Sequence, residues 1–220
     1  VEQLLALMER RAPNALLFVD ETYREATYGD SAPVDSVAAL HPRIVTGASV
    51  SKAFGAPGLR TGWLTVQDAE LRQRLVIAKM NMVISGSVLD ETLAAALLRH
   101  RDKVLDPRRR LLDGTLSELA GWCEIERHRI DWIRPNAGAL CCLRLRTDAF
   151  DEVAVAKFWD ELPGRDLQLA SGAWFGESQR VFRLGFGYLP PTRLAPALNA
   201  LSSAMTAAAL SLVPPRMIAV

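Results

Sequence analysis

Seven residues of this 220-residue chain carry side chains whose types and order suggest chemistry. Asp20 and Tyr23 lie in Val19-Asp20-Glu21-Thr22-Tyr23. Ser49, Ser51, Lys52 and Arg60 fall within Ser49-Val50-Ser51-Lys52-Ala53-Phe54-Gly55-Ala56-Pro57-Gly58-Leu59-Arg60-Thr61-Gly62-Trp63. Arg183 stands in Phe182-Arg183-Leu184-Gly185-Phe186. An acid, a phenol, an amine and two guanidiniums suit an aldehyde cofactor that carries a phosphate.

Each position has a physical rationale. Asp20 ends an apolar run, Ala15-Leu16-Leu17-Phe18-Val19, and so stands where a buried strand stops. In open α/β sheets that edge is where ligands bind. A carboxylate there needs a cation or hydrogen bonds, and a protonated pyridine nitrogen is one such cation. Tyr23 can direct its hydroxyl to a phenolic oxygen on the same ring. Alone, the two also read as a turn aspartate and a packed tyrosine.

Lys52 alone reads as a solvated loop residue. A Schiff-base lysine must lose its proton part of the time, and a nearby cation such as Arg60 favours that. Ser49 and Ser51 offer hydroxyls to a phosphate, and Arg60 offers a bidentate fork. Gly58 and Gly62 on either side permit close backbone approach. Arg183, amid apolar residues, requires an anion. A substrate carboxylate and a structural Asp or Glu serve equally well.

These residues need strands to end beside them. Apolar runs at 15–19, 43–47 and 62–66 read as strands, the first of the kind buried on both faces in a parallel sheet. Residues 2–11 read as a helix with a Leu4, Leu5, Leu7, Met8 stripe, and residues 69–80 and 89–104 as two more. Pro107 opens a further helix to about Ala120. Strand candidates follow at 123–126, 139–146, 167–169 and 181–186, with helices at 152–161 and 192–210. The texture gives residues 1–106 as part of an α/β sheet domain and 107–220 as a smaller α+β domain.

The balance of 26 Lys+Arg against 25 Asp+Glu gives a net charge of +1, so nothing favours nucleic acid or an anionic membrane surface. Arg108-Arg109-Arg110 reads as an exposed helix face. No apolar run reaches membrane-spanning length. Three cysteines, Cys123, Cys141 and Cys142, do not make a disulfide framework. With no C-x-x-C and scattered histidines, a zinc site is not expected. A reducing cytoplasm is the expected compartment.

Taken together, Asp-Glu-x-Tyr, Ser-x-Ser-Lys-x-x-Gly-x-x-Gly-x-Arg-x-Gly-Trp and a late Arg-Leu-Gly-Phe resemble the fold-type-I pyridoxal-phosphate enzymes, most closely class I/II aminotransferases. Asn136-Ala137-Gly138-Ala139 and Ser171-Gly172-Ala173-Trp174-Phe175-Gly176 resemble small-domain segments of that family. The resemblance implies an aminotransferase-like large domain with a mostly parallel, incomplete sheet, followed by a smaller α+β domain. It implies pyridoxal 5'-phosphate held as an internal aldimine on Lys52, which then moves the proton in the 1,3-shift. It implies Asp20 on the pyridine nitrogen, Tyr23 on the phenolic oxygen, and Ser49, Ser51 and Arg60 on the phosphate. Arg183 would clamp the substrate α-carboxylate, the substrates being an amino acid and a 2-oxo acid.

The family places a phosphate-cradling loop, a stacking aromatic and an asparagine before Asp-x-x-Tyr, and these are expected upstream of Val1. A homodimer is implied, with residues 81–87 near the neighbouring subunit's site. β-Elimination, decarboxylation and a non-catalytic ligand-sensing module fit the same motifs.

Overall fold

The computed structural model describes residues 1–29 and 34–209. It forms two units, Val1–Arg109 and Arg110–Val220, and the division falls within the helix that holds Pro107.

The first unit holds helix α1 (Glu2–Arg11) and a three-stranded sheet of order β1-β2-β3. β1 (Leu17–Asp20) pairs parallel to β2 (Ile44–Ser49), with Asp20 opposite Gly47. β3 (Gly62–Val66) returns antiparallel to β2, with Ser49 opposite Gly62. β1 is covered on one face only: Phe18 is 60% exposed and lies over Gly47, where a Cβ would come within 2.7 Å of its ring. An uninterrupted apolar run thus marks a strand here without marking burial on both faces. α1 is similar, burying Leu5 while Leu4 and Leu7 stay exposed.

Helices α2 (Ala69–Met82) and α3 (Val88–Arg99) start at side-chain caps: Asp68 accepts from Leu71 N–H and Ser87 from Asp90 N–H. The expected helix over 89–104 is broken at His100 (φ −109°, ψ 28°). α4 then runs over Arg101–Ile125. The break lets Ala94 of α3 and Leu105 of α4 reach one small core with Ala26, Val50, Ala53 and Phe54.

Pro107 lies inside α4 and does not open it. A proline removes one backbone hydrogen bond, and α4 offsets that by burying Leu105, Leu112, Leu116, Leu119, Trp122 and Cys123. The same stripe makes residues 123–125 the end of a helix rather than a strand, because it keeps helical spacing.

In the second unit a sheet of order β4-β5-β7-β6 is antiparallel throughout. Its strands are β4 (Ile130–Trp132), β5 (Leu140–Leu145), β6 (Ala170–Ser171) and β7 (Val181–Gly185). β6 falls just after the expected 167–169. α5 (Glu152–Glu161) has Asp151 as its cap, and α6 (Pro191–Ala209) packs beside it. Position 210, where α6 was expected to end, is outside the described residues. β5 alternates strictly: Cys141, Leu143 and Leu145 face the core, while Leu140, Cys142 and Arg144 face out. Phe182 is fully buried, its ring 5.5 Å from that of Phe158 and 6.5 Å from that of Trp159. Trp122 Nε1–H donates to Ser202 Oγ, which donates to buried Glu126.

Burial pushes the thiols of Cys123 and Cys141 up to about 12, so both stay protonated at neutral pH. Cys142 is exposed. Titration with Ellman's reagent at pH 8 is expected to modify Cys142 alone in the native protein and all three thiols in urea; rapid native reaction of two thiols would contradict this packing. Phe182→Ala is expected to cost about 3–5 kcal/mol, measured by urea denaturation.

Candidate active site

The first unit's sheet explains why its chemistry-bearing residues meet. β1 and β2 are parallel, so both end at the same edge, and antiparallel β3 begins there. Asp20 is the last residue of β1, Ser49 the last of β2, and Gly62 the first of β3. Ser51, Lys52 and Arg60 lie in the β2–β3 connection, and Tyr23 in the turn after β1. Asp20, Tyr23, Ser49, Ser51, Lys52 and Arg60 therefore share one sheet edge. Arg183 lies in the second unit, on β7.

Asp20 is exposed at its strand end and accepts from Thr22 N–H at 2.9 Å. Hydrogen bonds from Thr22, the side chain first and then the backbone, hold its carboxyl below the usual value. It is thus an anion at neutral pH, as a partner for a protonated ring nitrogen must be. Thr22 went unnoticed in the sequence, although a hydrogen-bonding residue two after Asp is a common turn signal. The Glu21 N–H continues the parallel ladder to the Gly47 carbonyl at 2.8 Å.

The Tyr23 turn is held by charge. Glu25 is buried and pairs with Arg24 at 2.9 Å and with Arg101 of α4 at 2.6 Å, while Arg109 stands at 4.0 Å. Tyr23 itself is 41% exposed, and Lys52 Nζ lies 5.9 Å from its ring centroid. The amine and the phenol ring are therefore neighbours, at the outer limit of a cation–π contact.

Lys52 is an exposed residue on a buried turn. Val50, Ala53 and Phe54 around it are buried in the small core with Ala94 and Leu105. Leu59 and Trp63 pack against the same core. The turn is tied further by Ser51 N–H to Ser49 Oγ at 3.3 Å, Gly55 N–H to the Lys52 carbonyl at 3.0 Å, and Ala56 N–H to the Val50 carbonyl at 3.1 Å. Packing fixes the backbone, and the amine is left free of the core.

Arg60 adopts the left-handed conformation (φ 48°, ψ 30°), which non-glycine residues rarely hold. Its guanidinium donates to the Pro57 carbonyl at 3.0 Å and is otherwise exposed. Strained residues of this kind cluster at binding sites. Gly62 has a simpler reason: a Cβ there would sit 2.8 Å from the Ala48 carbonyl, so β3 can leave this edge only with glycine.

A hollow of about 830 Å³ opens beside the edge, with Asp20, Thr22, Ala48, Gly62, Trp63 and Lys79 in its wall. Of the residues singled out by type, Asp20 alone lines it. An anionic acceptor, an exposed amine, two hydroxyls and an exposed guanidinium along one sheet edge fit a protonated pyridine that carries an aldehyde and a phosphate.

In the second unit, Arg183 faces out from β7, opposite Cys142 of β5 and Ala170 of β6. Its guanidinium lies 4.9 Å over the Phe175 ring. Among the described residues no carboxylate pairs with it, so the structural ion pair that the sequence left open is not made there.

The chain matches the family described as Aminotransferase class I and II over residues 1–209. It is 27% identical, over 175 residues, to capreomycidine synthase from Streptomyces vinaceus, aligning 78% of this chain with 43% of that protein. A PLP-dependent aminotransferase from Streptococcus suis shares the fold, with TM-score 0.81 and 24% identity over 94% of this chain and 52% of that one. The PLP-dependent cyclase OrfR is similar at TM-score 0.78 and 27% identity, over 94% of this chain and 54% of that one. The chain thus spans about half the length of the proteins it resembles. Family and neighbours indicate pyridoxal phosphate as the cofactor. A match over nearly the whole chain, joined to a neighbour fold of the same kind, places this chain in the class I and II aminotransferase family.

Proposed function

We propose that this chain serves the transfer of an α-amino group between an amino acid and a 2-oxo acid. The observation that supports this reading best is the convergence of Asp20, Tyr23, Ser49, Lys52 and Arg60 at one sheet edge. When bound, pyridoxal phosphate supplies an aldehyde that condenses with amines and a ring that accepts the electron pair left at a substrate Cα.

The chain's own residues do the rest. Lys52 Nζ would hold the cofactor at its aldehyde carbon and, once displaced by the substrate amine, would take the proton from the substrate Cα and deliver it to that carbon, working as base and then acid. Asp20, ionised at neutral pH, accepts a hydrogen bond from the protonated ring nitrogen. Tyr23 O–H would donate to the ring's phenolic oxygen. Ser49, Ser51 and Arg60 would hold the phosphate, the guanidinium through a charge-assisted hydrogen bond. Arg183 binds the substrate α-carboxylate with the edge of its guanidinium, its face lying on Phe175.

A homodimer fits the surface after α2. Met82 (80%), Ile84 (86%), Val88 (75%) and Leu89 (77%) form an exposed apolar stretch of the kind that marks an interface.

A second reading is favoured by two relatives. One is named a synthase and the other a cyclase, so cofactor chemistry at the substrate Cα without net amino transfer is the alternative.

One experiment separates them. The cofactor-loaded protein is given a panel of ¹⁵N-labelled L-amino acids together with 2-oxo acids. Amino transfer predicts label in a new amino acid, and Lys52→Ala is expected to slow it by at least about 10³-fold. Substrate consumption without label transfer would instead support the synthase or cyclase reading. Label transfer that survives Lys52→Ala would overturn the role of Lys52.

Arg60→Gly is expected to act in opposite directions. Relief of the left-handed strain raises the stability of the cofactor-free protein by up to about 1 kcal/mol in urea denaturation. Loss of the charged fork weakens pyridoxal phosphate about 10- to 100-fold in equilibrium titration.

A further inference from the structure

Arg108-Arg109-Arg110, expected to be an exposed helix face, is turned partly inward by α4. Arg109 lies beside Glu25 and Asp106. Arg108 does something different. Its Nε donates to the Ala53 carbonyl at 2.7 Å, and Nη2 reaches the Lys52 carbonyl at 3.5 Å. Among the described residues Arg108 has no carboxylate partner.

The approach depends on one glycine. The guanidinium passes over Gly55, where a Cβ would meet Nη1 at 2.5 Å and Cζ at 2.9 Å. Gly55 also has φ +67°, a conformation that other residues seldom adopt. Its N–H donates to the Lys52 carbonyl at 3.0 Å, so that carbonyl receives one donor from its own turn and one from α4. Val104 and Leu105, on the same stretch of α4, pack in or against the core that holds Val50, Ala53 and Phe54. α4 thus grips the turn twice, by apolar packing on its buried side and by a guanidinium on its carbonyls. The apolar contacts have no directional preference. The two guanidinium hydrogen bonds fix the angle of the peptide planes at residues 52 and 53, and these set where the Lys52 side chain departs.

We propose that Arg108 is a positioning residue for Lys52: clasped over Gly55, it holds the two carbonyls that orient the lysine, so that the amine returns to one point in each catalytic cycle. The proposal rests on the reading that Lys52 carries the cofactor. It assigns Arg108 no contact with cofactor or substrate.

The test uses the cofactor-loaded protein and three variants. Lys52→Ala settles the underlying reading by itself: if it keeps a borohydride-sensitive visible band, the role of Lys52 fails whatever Arg108 does. Arg108→Gln removes both charge and fork, and Arg108→Lys keeps the charge with one-point donation. In Arg108→Gln the visible band is expected to remain, so the cofactor still binds. The backbone amides of Ala53, Phe54 and Gly55 are expected to exchange about tenfold faster than in the parent protein. The maximal rate of amino transfer with the best-accepted L-amino acid falls about tenfold or more, while its KM changes less than about threefold. Arg108→Lys restores part of both losses.

Unchanged amide protection and rate in Arg108→Gln would overturn the proposal. So would a loss of protection spread over the whole of α4 and the sheet, which would mark Arg108 as a general packing residue. Should Arg108→Gln fail to fold, Arg108→Lys carries the same readouts: a local loss of protection supports the proposal, and protection and rate equal to the parent's overturn it.

Discussion

The parallel pairing of β1 with β2, in the register that sets Asp20 opposite Gly47, brings two strand ends to one edge of the first sheet. β3 then departs antiparallel from that edge, with Gly62 at its first position. Six of the seven residues singled out by type lie at these ends or in the turns that leave them. Ladder hydrogen bonds hold a strand's middle and leave its end free to face a ligand, so the sheet supplies rigidity while the turns supply functional groups. Each functional side chain is thereby next to something that cannot move far. Asp20 is tied to Thr22, Tyr23 follows a turn anchored by the buried Glu25, and Lys52 sits between core residues.

The same edge stores small costs that the core offsets. Arg60 holds a left-handed backbone, Gly55 another, and Gly62 gives up a side chain to clear a carbonyl. Each costs on the order of 1 kcal/mol. The core beneath is small, built from Ala26, Val50, Ala53, Phe54, Ala94 and Leu105. Its location under the lysine turn matters more than its size, because it spends apolar burial on fixing one loop. Elsewhere the first unit leaves apolar surface open: α2 buries no residue, and one face of β1 is exposed. The second unit has the denser core, with Phe150, Phe158, Phe182 and Phe186 fully buried.

Local patterns were legible in the sequence and distant contacts were not. α5 begins and ends where its Asp cap and apolar spacing place it, and β3 lies at 62–66 as its apolar run suggests. The lysine turn is readable because its glycines and proline punctuate it. By contrast, the extent of α4 across Pro107 depends on a buried leucine stripe that outweighs one lost hydrogen bond. The helical state of Cys123 follows from the same stripe. The open face of β1 depends on what packs against it, which an apolar run cannot reveal. The hold of Arg108 on the Ala53 carbonyl joins residues 55 apart, and a basic triplet on a helix gives no hint of it. Phe175 under Arg183 belongs to the same class, since a turn after one strand reaches a side chain of the next.

What distinguishes a cofactor lysine from an accidental one is its place among few alternatives. The chain has four lysines, Lys52, Lys79, Lys103 and Lys157, and Lys79 lies in the wall of the same hollow as Asp20. Only Lys52 combines a turn packed on both sides, neighbouring serine hydroxyls and a phenol ring within 5.9 Å. The most direct measurement is therefore a location. The protein is loaded with pyridoxal phosphate, reduced with borohydride and digested, and the modified residue is identified by peptide mass spectrometry. The account predicts a phosphopyridoxyl group on Lys52 in stoichiometric amount and on no other lysine. Stoichiometric modification of Lys79, or modification scattered over all four lysines, would contradict it.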